Sequence, residues 1–120
     1  MNEIKVGTYT GNGAAQNIEL GFVPGAVIIV NATDGTNFTI GFPNNMAAGS
    51  GISDVTTAGP VLDTSNQVSA YNGDATHSQG FTVGTDLSTN AKVYNYIAVR
   101  AAAPRTQPPG AVNAAGTASV

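Results

Sequence analysis

Cysteine is absent from the 120 residues of this sequence. Without it the chain can form neither a disulfide framework nor a thiolate zinc site, and it has no cysteine nucleophile. The length fits a single domain that is large enough to bury a core. We therefore expect one domain that is held together without disulfide bonds.

Charged residues are scarce, since Asp, Glu, Lys and Arg make up 9% of the sequence, against roughly 25% in typical soluble domains. A polar, weakly charged surface is typical of a protein that partners partly cover, and equally of a secreted β domain, so both remain open. The net charge is −3, and the four cations are scattered: Lys5, Lys92, Arg100 and Arg105. Nucleic-acid binding needs a basic stripe to neutralise phosphates, so we expect no nucleic-acid partner.

Long apolar runs are missing as well. No run approaches the roughly 20 residues that are needed to span a bilayer. Residues 1–6 lack the long apolar core of a signal peptide and already have the pattern of a strand. We therefore expect no membrane partner and a chain that is made in the cytoplasm.

The sequence is organised around residues 17–30. An alternating strand at residues 18–22 leads to a break at Pro24 and Gly25, because proline fixes φ and glycine accepts turn conformations. Residues 26–30 follow as a short, continuous run of apolar and mostly β-branched side chains. Such a run predicts the central strand of the core, buried on both of its faces.

Further strand patterns follow at regular spacing. Asp34 and Gly35 form a strong turn signal and predict a hairpin between residues 27–30 and 38–42. The other predicted strands are residues 4–9, 52–56, 61–62, 68–71, 81–83 and 92–100. About eight short strands and no convincing helix predict an all-β fold, an antiparallel β-sandwich of the jelly-roll type.

The character of the sequence changes after residue 100. We predict a β-sandwich domain over residues 1–100 and an extended C-terminal arm, rich in Pro and Ala, over residues 101–120. An arm of this composition buries too little apolar surface to order itself, so we expect a neighbouring chain to hold it. The predicted contact residues of the arm are Pro104, Arg105, Pro108, Pro109, Val112 and Val120.

No residue pattern indicates catalysis. His77 is the only histidine, and Asp74 and Ser78 share its loop, but adjacency in sequence does not create the geometry of a catalytic triad. The chain lacks the Gly-x-Ser-x-Gly elbow that presents a serine nucleophile, and it lacks a calcium-binding loop. The sequence therefore predicts no catalytic residue, no metal site, no cofactor and no enzymatic activity.

The last predicted strand carries aromatic residues on one face. Tyr94 and Tyr96 share that face with Arg100, a combination that is enriched at protein interfaces. They could equally be core aromatics, and the sequence leaves both roles open. As interface residues they predict a homo-oligomer, a dimer or a trimer.

Beyond the general β pattern, the sequence resembles a β module of the structural proteins of tailed-bacteriophage virions, over about residues 6–99. The phrases that carry this resemblance are Tyr9-Thr10-Gly11-Asn12-Gly13, Gly21-Phe22-Val23-Pro24, Gly80-Phe81-Thr82-Val83-Gly84 and Tyr94-Asn95-Tyr96-Ile97-Ala98. Such modules lie in tail, fibre and head-surface proteins and have no catalytic residues. A single copy followed by an arm favours a capsid decoration (cement) protein.

The resemblance implies that the chain binds the outer capsid surface of the virion and staples neighbouring subunits together. Its partners would be the major capsid protein and copies of itself. The alternative that it implies is a tail or fibre module that binds host carbohydrate through Tyr94, Tyr96 and polar loops.

Overall fold

The computed structural model describes residues 3–35, 38–53 and 59–101. Within these ranges the chain forms eight strands and one short 3₁₀ helix of three residues, which confirms the all-β class. In chain order the strands are β1 (Ile4–Thr10), β2 (Gln16–Glu19), β3 (Pro24–Asn31), β4 (Phe38–Gly41), β5 (Ser50–Ser53), β6 (Val61–Tyr71), β7 (Gly80–Val83) and β8 (Val93–Arg100). The 3₁₀ helix, Thr85–Leu87, lies between β7 and β8.

All eight strands belong to one antiparallel sheet, in the order β1-β8-β3-β4-β5-β6-β7-β2. The predicted hairpin between β3 and β4 is confirmed, with Ile28 opposite Ile40. The turn between them contains Asp34 and Gly35, as predicted, and Gly35 has a φ of 73°.

Two short strands were predicted where the structure forms the single long strand β6. Its register with β5 shifts abruptly, because Ser50 faces Val68 whereas Gly51 faces Asp63. The extra residues form a bulge in which Asn66 adopts a left-handed conformation, with a φ of 61°. Bulges of this kind bend a strand and increase its twist.

The bulge also turns Gln67 into the interior. Its buried side chain accepts a hydrogen bond from Thr39 Oγ1 over 2.8 Å and donates to the carboxylates of Asp63 and Asp86, over 3.1 and 3.2 Å. A buried amide is tolerated when its hydrogen bonds are made, so this network ties β4, β6 and the 3₁₀ helix together.

The sheet curls so that its two ends face each other across the core. The ring of Phe81 on β7 contacts the ring of Tyr96 on β8 edge-on, with 5.4 Å between centroids, although four strands separate β7 from β8 in the sheet. The buried hydrophobic residues come from both halves of the sheet: Leu20, Phe22, Val27, Ile29, Val68, Phe81, Val83, Leu87, Tyr94 and Ala98.

The turn after β1 is fastened to the segment before β8. Gly11 donates to the carbonyl of Lys92 over 2.8 Å, and Gly13 donates to that of Ser88 over 2.7 Å. A Cβ atom at Gly11 would collide with the carbonyl of Thr89, so only glycine allows this approach. The glycines of this turn therefore serve the closure of the fold.

Strand β3 differs from its prediction. It lies inside the sheet, between β8 and β4, but of the predicted run 26–30 only Val27 and Ile29 are fully buried. Ile28 is half-buried and Val30 is exposed. The prediction of burial on both faces is wrong, because the curled sheet encloses one face and no described residue packs over the other.

This asymmetry predicts different outcomes for two adjacent substitutions. Ile29→Asp places an unpaired charge in the core, at a cost of several kcal/mol. Because a whole domain is stable by only about 5 to 15 kcal/mol, we expect Ile29→Asp to yield little folded protein. Ile28→Asp should fold, since its carboxylate can reach water. Thermal denaturation of both variants checks this, and an unfolded Ile28→Asp beside a folded Ile29→Asp would contradict the assignment of faces.

Candidate interaction face

A row of aliphatic side chains crosses the outside of six consecutive strands. Residues that directly oppose each other in an antiparallel sheet share a face, so the register defines this row from β1 to β6. Its members are Val6, Ile97, Ile28, Ile40, Ile52 and Leu62. Five strand spacings of about 4.8 Å give the row a length of about 24 Å.

More apolar residues flank this row on the same side of the sheet. The alternation of side chains along β1, β3, β4 and β8 places them there. Together with the row they form what we call the outer apolar face: Ile4, Val6, Ile28, Val30, Phe38, Ile40, Ile52, Leu62, Val93, Ile97 and Val99.

Much of the outer apolar face is open to solvent. Val6 is 74% exposed, Ile4 64% and Leu62 60%. Antiparallel sheets with one solvated face usually carry polar residues on that face. The outward positions of β1 and β8 carry only Thr8, Thr10 and Asn95 besides aliphatics, and none of them is charged. Exposed apolar surface on this scale marks an interaction site in many proteins.

The other half of the sheet, built from β2 and β7, carries polar residues on its outer side, as solvated sheet faces usually do. The outward positions of β2 and β7 are polar, and Thr82 Oγ1 donates to Asn17 Oδ1 over 2.6 Å. Beside them, Glu19 Oε1 accepts hydrogen bonds from the backbone N–H and the hydroxyl of Ser78, over 2.9 and 3.2 Å. The apolar character therefore belongs to one half of the outer surface.

The outer apolar face is concave over β1, β8 and β3. A depression of about 520 Å³ lies there, bordered by Val6, Ile28, Val30 and Ile97. Catalytic and cofactor sites bring several polar groups together in such a depression. The other lining residues are Gly7, Thr8, Asn95 and Tyr96, which bring few polar side chains together, and the arrangement suits apolar contact.

Of the residues predicted for an interface, the three that the structure describes lie on the inner face: Tyr94, Tyr96 and Arg100. Tyr94 is fully buried, stacks on Tyr9 with 5.0 Å between ring centroids, and accepts a hydrogen bond from the N–H of Thr89 over 3.0 Å. Of the two roles that the sequence left open, Tyr94 takes that of a core aromatic. Its side chain offers no surface to a partner, because the curled sheet closes over it.

Tyr96 and Arg100 share this inner face with Tyr94, as predicted. Tyr96 is partly buried between Tyr9 and Phe81. Arg100 is exposed; its guanidinium lies 5.5 Å from the centroid of the Phe22 ring and 3.7 Å from the carboxylate of Glu3. The two tyrosines do not form the exposed aromatic platform that sugar binding would need.

The predicted contact residues of the arm lie outside the described residues: Pro104, Arg105, Pro108, Pro109, Val112 and Val120. Sequence reasoning also missed the outer apolar face. The signal for it was present in β1, β3 and β8, where aliphatic residues occupy the positions that a half-exposed strand normally gives to polar ones.

The loop of His77 forms a small exposed cluster. Asp74 Oδ1 accepts hydrogen bonds from the backbone N–H groups of Thr76 and His77, over 2.8 and 2.9 Å, and lies 2.9 Å from His77 Nδ1. The Thr76 N–H above all, and then the His77 ring, lower the pKa of Asp74 to about 2. The hydroxyl of Ser78 donates to Glu19 and not to His77, so these residues do not form a Ser-His-Asp relay.

The described part of the chain contains no group of three or more His, Cys, Asp or Glu side chains that could hold a metal ion. None of its helices has the length and apolar character needed to cross a membrane.

The contact between Asp74 and His77 predicts a shifted titration. The hydrogen bond to Asp74 raises the pKa of His77 above its ordinary 6.5. The contribution of His77 to the stability of the fold is therefore fully present below about pH 6.5 and is lost as the pH rises through the raised pKa of His77. The contribution of Asp74 is lost as the pH falls from 3.8 towards about 2. We expect NMR titration of the His77 ring to give a midpoint above 6.5, and Asp74→Asn to lower that midpoint. A midpoint that Asp74→Asn leaves unchanged would contradict the contact.

Comparison with known proteins finds no matching protein family, no matching curated protein and no matching solved structure. The chain's own residues therefore have to carry any functional proposal.

Proposed function

We propose that this chain is a structural protein of a tailed-phage virion, a decoration (cement) protein that sits on the outer capsid surface. The single observation that carries this proposal is the uncharged outer apolar face, which lies open on one half of a small β domain. The sequence resemblance supplies the kind of particle. The outer apolar face supplies a physical means of attachment, which is burial of aliphatic side chains against the major capsid protein.

The size of the outer apolar face fits docking of this kind. Its row is about 24 Å long, and β8 adds a width of about 20 Å from Val93 to Val99, since alternate residues are about 7 Å apart. The face therefore measures roughly 500 Å², near the upper end for apolar patches on monomers. A standard interface covers about 800 Å² per partner, so the face supplies more than half of one.

The C-terminal arm would supply the rest. Strand β8 ends at Arg100, and the next residue, Ala101, lies against Gly25 at the start of β3. The arm thus leaves the domain beside Ile4 and Val99, at one end of the outer apolar face. Two weak attachments on different capsid subunits raise each other's effective concentration, which is how a small protein staples a shell.

We also assign the curled sheet to the β-sandwich class, as a jelly-roll variant. In a jelly roll, a long hairpin is rolled up so that the first strand pairs with the last and the second with the one before it. Here β1 pairs with β8, β2 with β7 and β4 with β5. The remaining pairing, β3 with β6, is replaced by the ladders β3–β4 and β5–β6.

Carbohydrate binding by a tail or fibre module gains no support from the described residues. Its expected contacts were Tyr94 and Tyr96, and the first is buried while the second packs against Phe81. Catalysis would need a convergent polar cluster, and the one at Gln67 is a buried structural network.

Particle binding provides the test. Purified chain should bind phage particles that lack it, and electron cryo-microscopy should count hundreds of copies per particle where a tail component would give few. We expect the double variant Val30→Asp, Ile97→Asp to remain folded and to lose at least tenfold in affinity, because docking would bury two unpaired charges.

Asn17→Asp is the matched control for this experiment, since it adds a charge on the polar half and its carboxylate can still accept from Thr82. It should bind as the unaltered chain does. Equal binding by the folded double variant would exclude the outer apolar face as the docking surface. Absence of any binding to particles would overturn the virion proposal itself.

Deletion of residues 101–120 tests the contribution of the arm. The eight strands end at Arg100, so we expect the shortened chain to fold with an unchanged melting temperature. It should bind particles less tightly and protect them less against heat, because only one of two attachments remains. A shortened chain that binds and protects as well as the full chain would show that the arm is not an attachment.

A further inference from the structure

Strand β1 lies at one edge of the sheet and pairs only with β8 among the described strands. The hydrogen bonds at its two ends show which way its backbone faces. Glu3 accepts from the N–H of Arg100 over 2.7 Å, and Gly11 donates to the carbonyl of Lys92 over 2.8 Å. In an antiparallel ladder the hydrogen-bonded positions alternate, so the odd-numbered residues of this strand face β8.

The even-numbered residues consequently face the open edge. The N–H and C=O groups of Ile4, Val6 and Thr8 point away from β8, which gives six main-chain groups on this edge without a partner strand in the described sheet. The next even residue is different, since the carbonyl of Thr10 accepts a hydrogen bond from Gln16 Nε2 over 2.8 Å. The open edge therefore ends before Thr10.

This edge lacks most of the devices that usually prevent strands from pairing with other chains. Its one charged residue, Lys5, lies on the inner side of the sheet and contacts Glu3 over 3.6 Å. Proteins protect an edge with proline, with a bulge, with short length or with charges. Strand β1 runs for seven residues without proline and without a register shift, and Ile4 and Val6 are the two most exposed aliphatics of its outer side. The opposite edge, β2, is protected, since it has four residues and carries Asn17 and Glu19 on its outer side.

We infer that β1 pairs with β1 of a second copy of this chain, antiparallel and about a two-fold axis at Val6. In this register Val6 opposes Val6 of the second copy, and Ile4 opposes its Thr8. All six open main-chain groups then find partners, in six hydrogen bonds between the two copies. An edge strand that pairs with itself is self-complementary, which is what a two-fold interface requires.

The neighbouring registers fit less well. A shift by two residues in one direction needs Thr10, whose carbonyl is already taken by Gln16. A shift in the other direction opposes Thr8 to a residue that precedes the first residue of β1, Ile4. In the register at Val6, Lys5 also comes to lie opposite Gly7 of the second copy, where there is no side chain to obstruct it.

Pairing at this edge joins the two outer apolar faces side by side into one surface and leaves them open for docking. It does not depend on the proposed function, and isolated protein suffices to test it. The contact is narrow compared with a standard interface, so we expect a dimer that dissociates on dilution.

Single cysteines report the arrangement cleanly, because the chain has none of its own. In hydrogen-bonded antiparallel pairs the Cα atoms are about 5.5 Å apart, a separation that a disulfide bridges. We expect Val6→Cys to form a covalent dimer on oxidation. Ile28→Cys should stay monomeric on reducing-agent-free gels, since five strand spacings of about 4.8 Å would separate the two cysteines by about 24 Å.

Ile28→Cys also distinguishes the competing arrangement. If two copies instead packed their outer apolar faces against each other, Ile28→Cys would form the covalent dimer in preference to Val6→Cys. That result would overturn the inference, and so would the absence of a covalent dimer with either variant.

A second pair of variants tests the main-chain contact without cysteine. The N–H of Val6 points away from β8, so Val6→Pro removes a donor from the edge and none from the ladder within the chain. We expect Val6→Pro to weaken dimerisation at least tenfold in sedimentation equilibrium, with its fold retained by circular dichroism. Val6→Thr keeps the donor and should dimerise within a few-fold of the unaltered chain. Equal dimerisation by a folded Val6→Pro would contradict edge pairing.

Discussion

A single curled sheet has only one interior, and this constraint shapes the whole molecule. Each strand has two faces, and the curl lets β7 meet β8 across the core so that the inner faces bury each other. The outer faces can be covered only by something else. In the half built from β2 and β7 this creates no difficulty, because polar side chains there bond to one another. In the half built from β1, β8 and β3 most outer positions are aliphatic, and many of these side chains are exposed to water.

The curl itself depends on close contacts of aromatic rings and glycines. A Cβ atom at Gly7 would lie only 2.6 Å from the hydroxyl oxygen of Tyr96, so the absence of a side chain there lets that ring lie across β1. The ring then reaches Tyr9 on one side and Phe81 on the other. Burial raises the pKa of Tyr9, whose hydroxyl donates to the carbonyl of Leu87 over 2.7 Å, so this phenol stays protonated and keeps its bond. Aromatic packing thus closes the interior that the strands alone would leave open.

Much of this fold could be predicted from the sequence, because turn residues and β-branched runs act locally. The hairpin from β3 to β4 follows from Asp34 and Gly35, and the pattern of residues 92–100 predicted β8 to within one residue. The sequence could not predict that β6 is one continuous strand. Its continuity depends on the left-handed conformation of Asn66, and residue propensities would favour a turn there equally. A continuous apolar run such as residues 26–30 has the same pattern whether a second layer covers it or not. Burial of Ile28 was therefore undetermined until the curl was known.

The candidate site was harder to predict for a related physical reason. Periodicity places Tyr94 and Tyr96 on one face of β8 and Ile97 and Val99 on the other, but it does not say which face turns inward. Aromatic residues are equally at home in cores and at interfaces. Only the ladder, which connects Tyr94 to Tyr9 on one side and Asn31 on the other, fixes the orientation. The face of β8 that carries the tyrosines, which has the composition of an interface, lies in the core. The aliphatic face of β8 is the candidate contact surface.

The low charge of the chain is consistent with an outer face that is apolar on one half of the sheet. Charge on the outer positions of β1, β8 and β3 would improve solubility, but each charge would have to be desolvated when a partner covers the sheet. The chain instead keeps the ion pairs of this region on the other face of β1, where Glu3 contacts Lys5 and Arg100. The outer surface is apolar on one half and polar and hydrogen-bonded on the other, so the two halves differ in their capacity for apolar contact. Under the proposed function, docking would use one side of the sheet only, which would favour a bounded layer over open-ended aggregation.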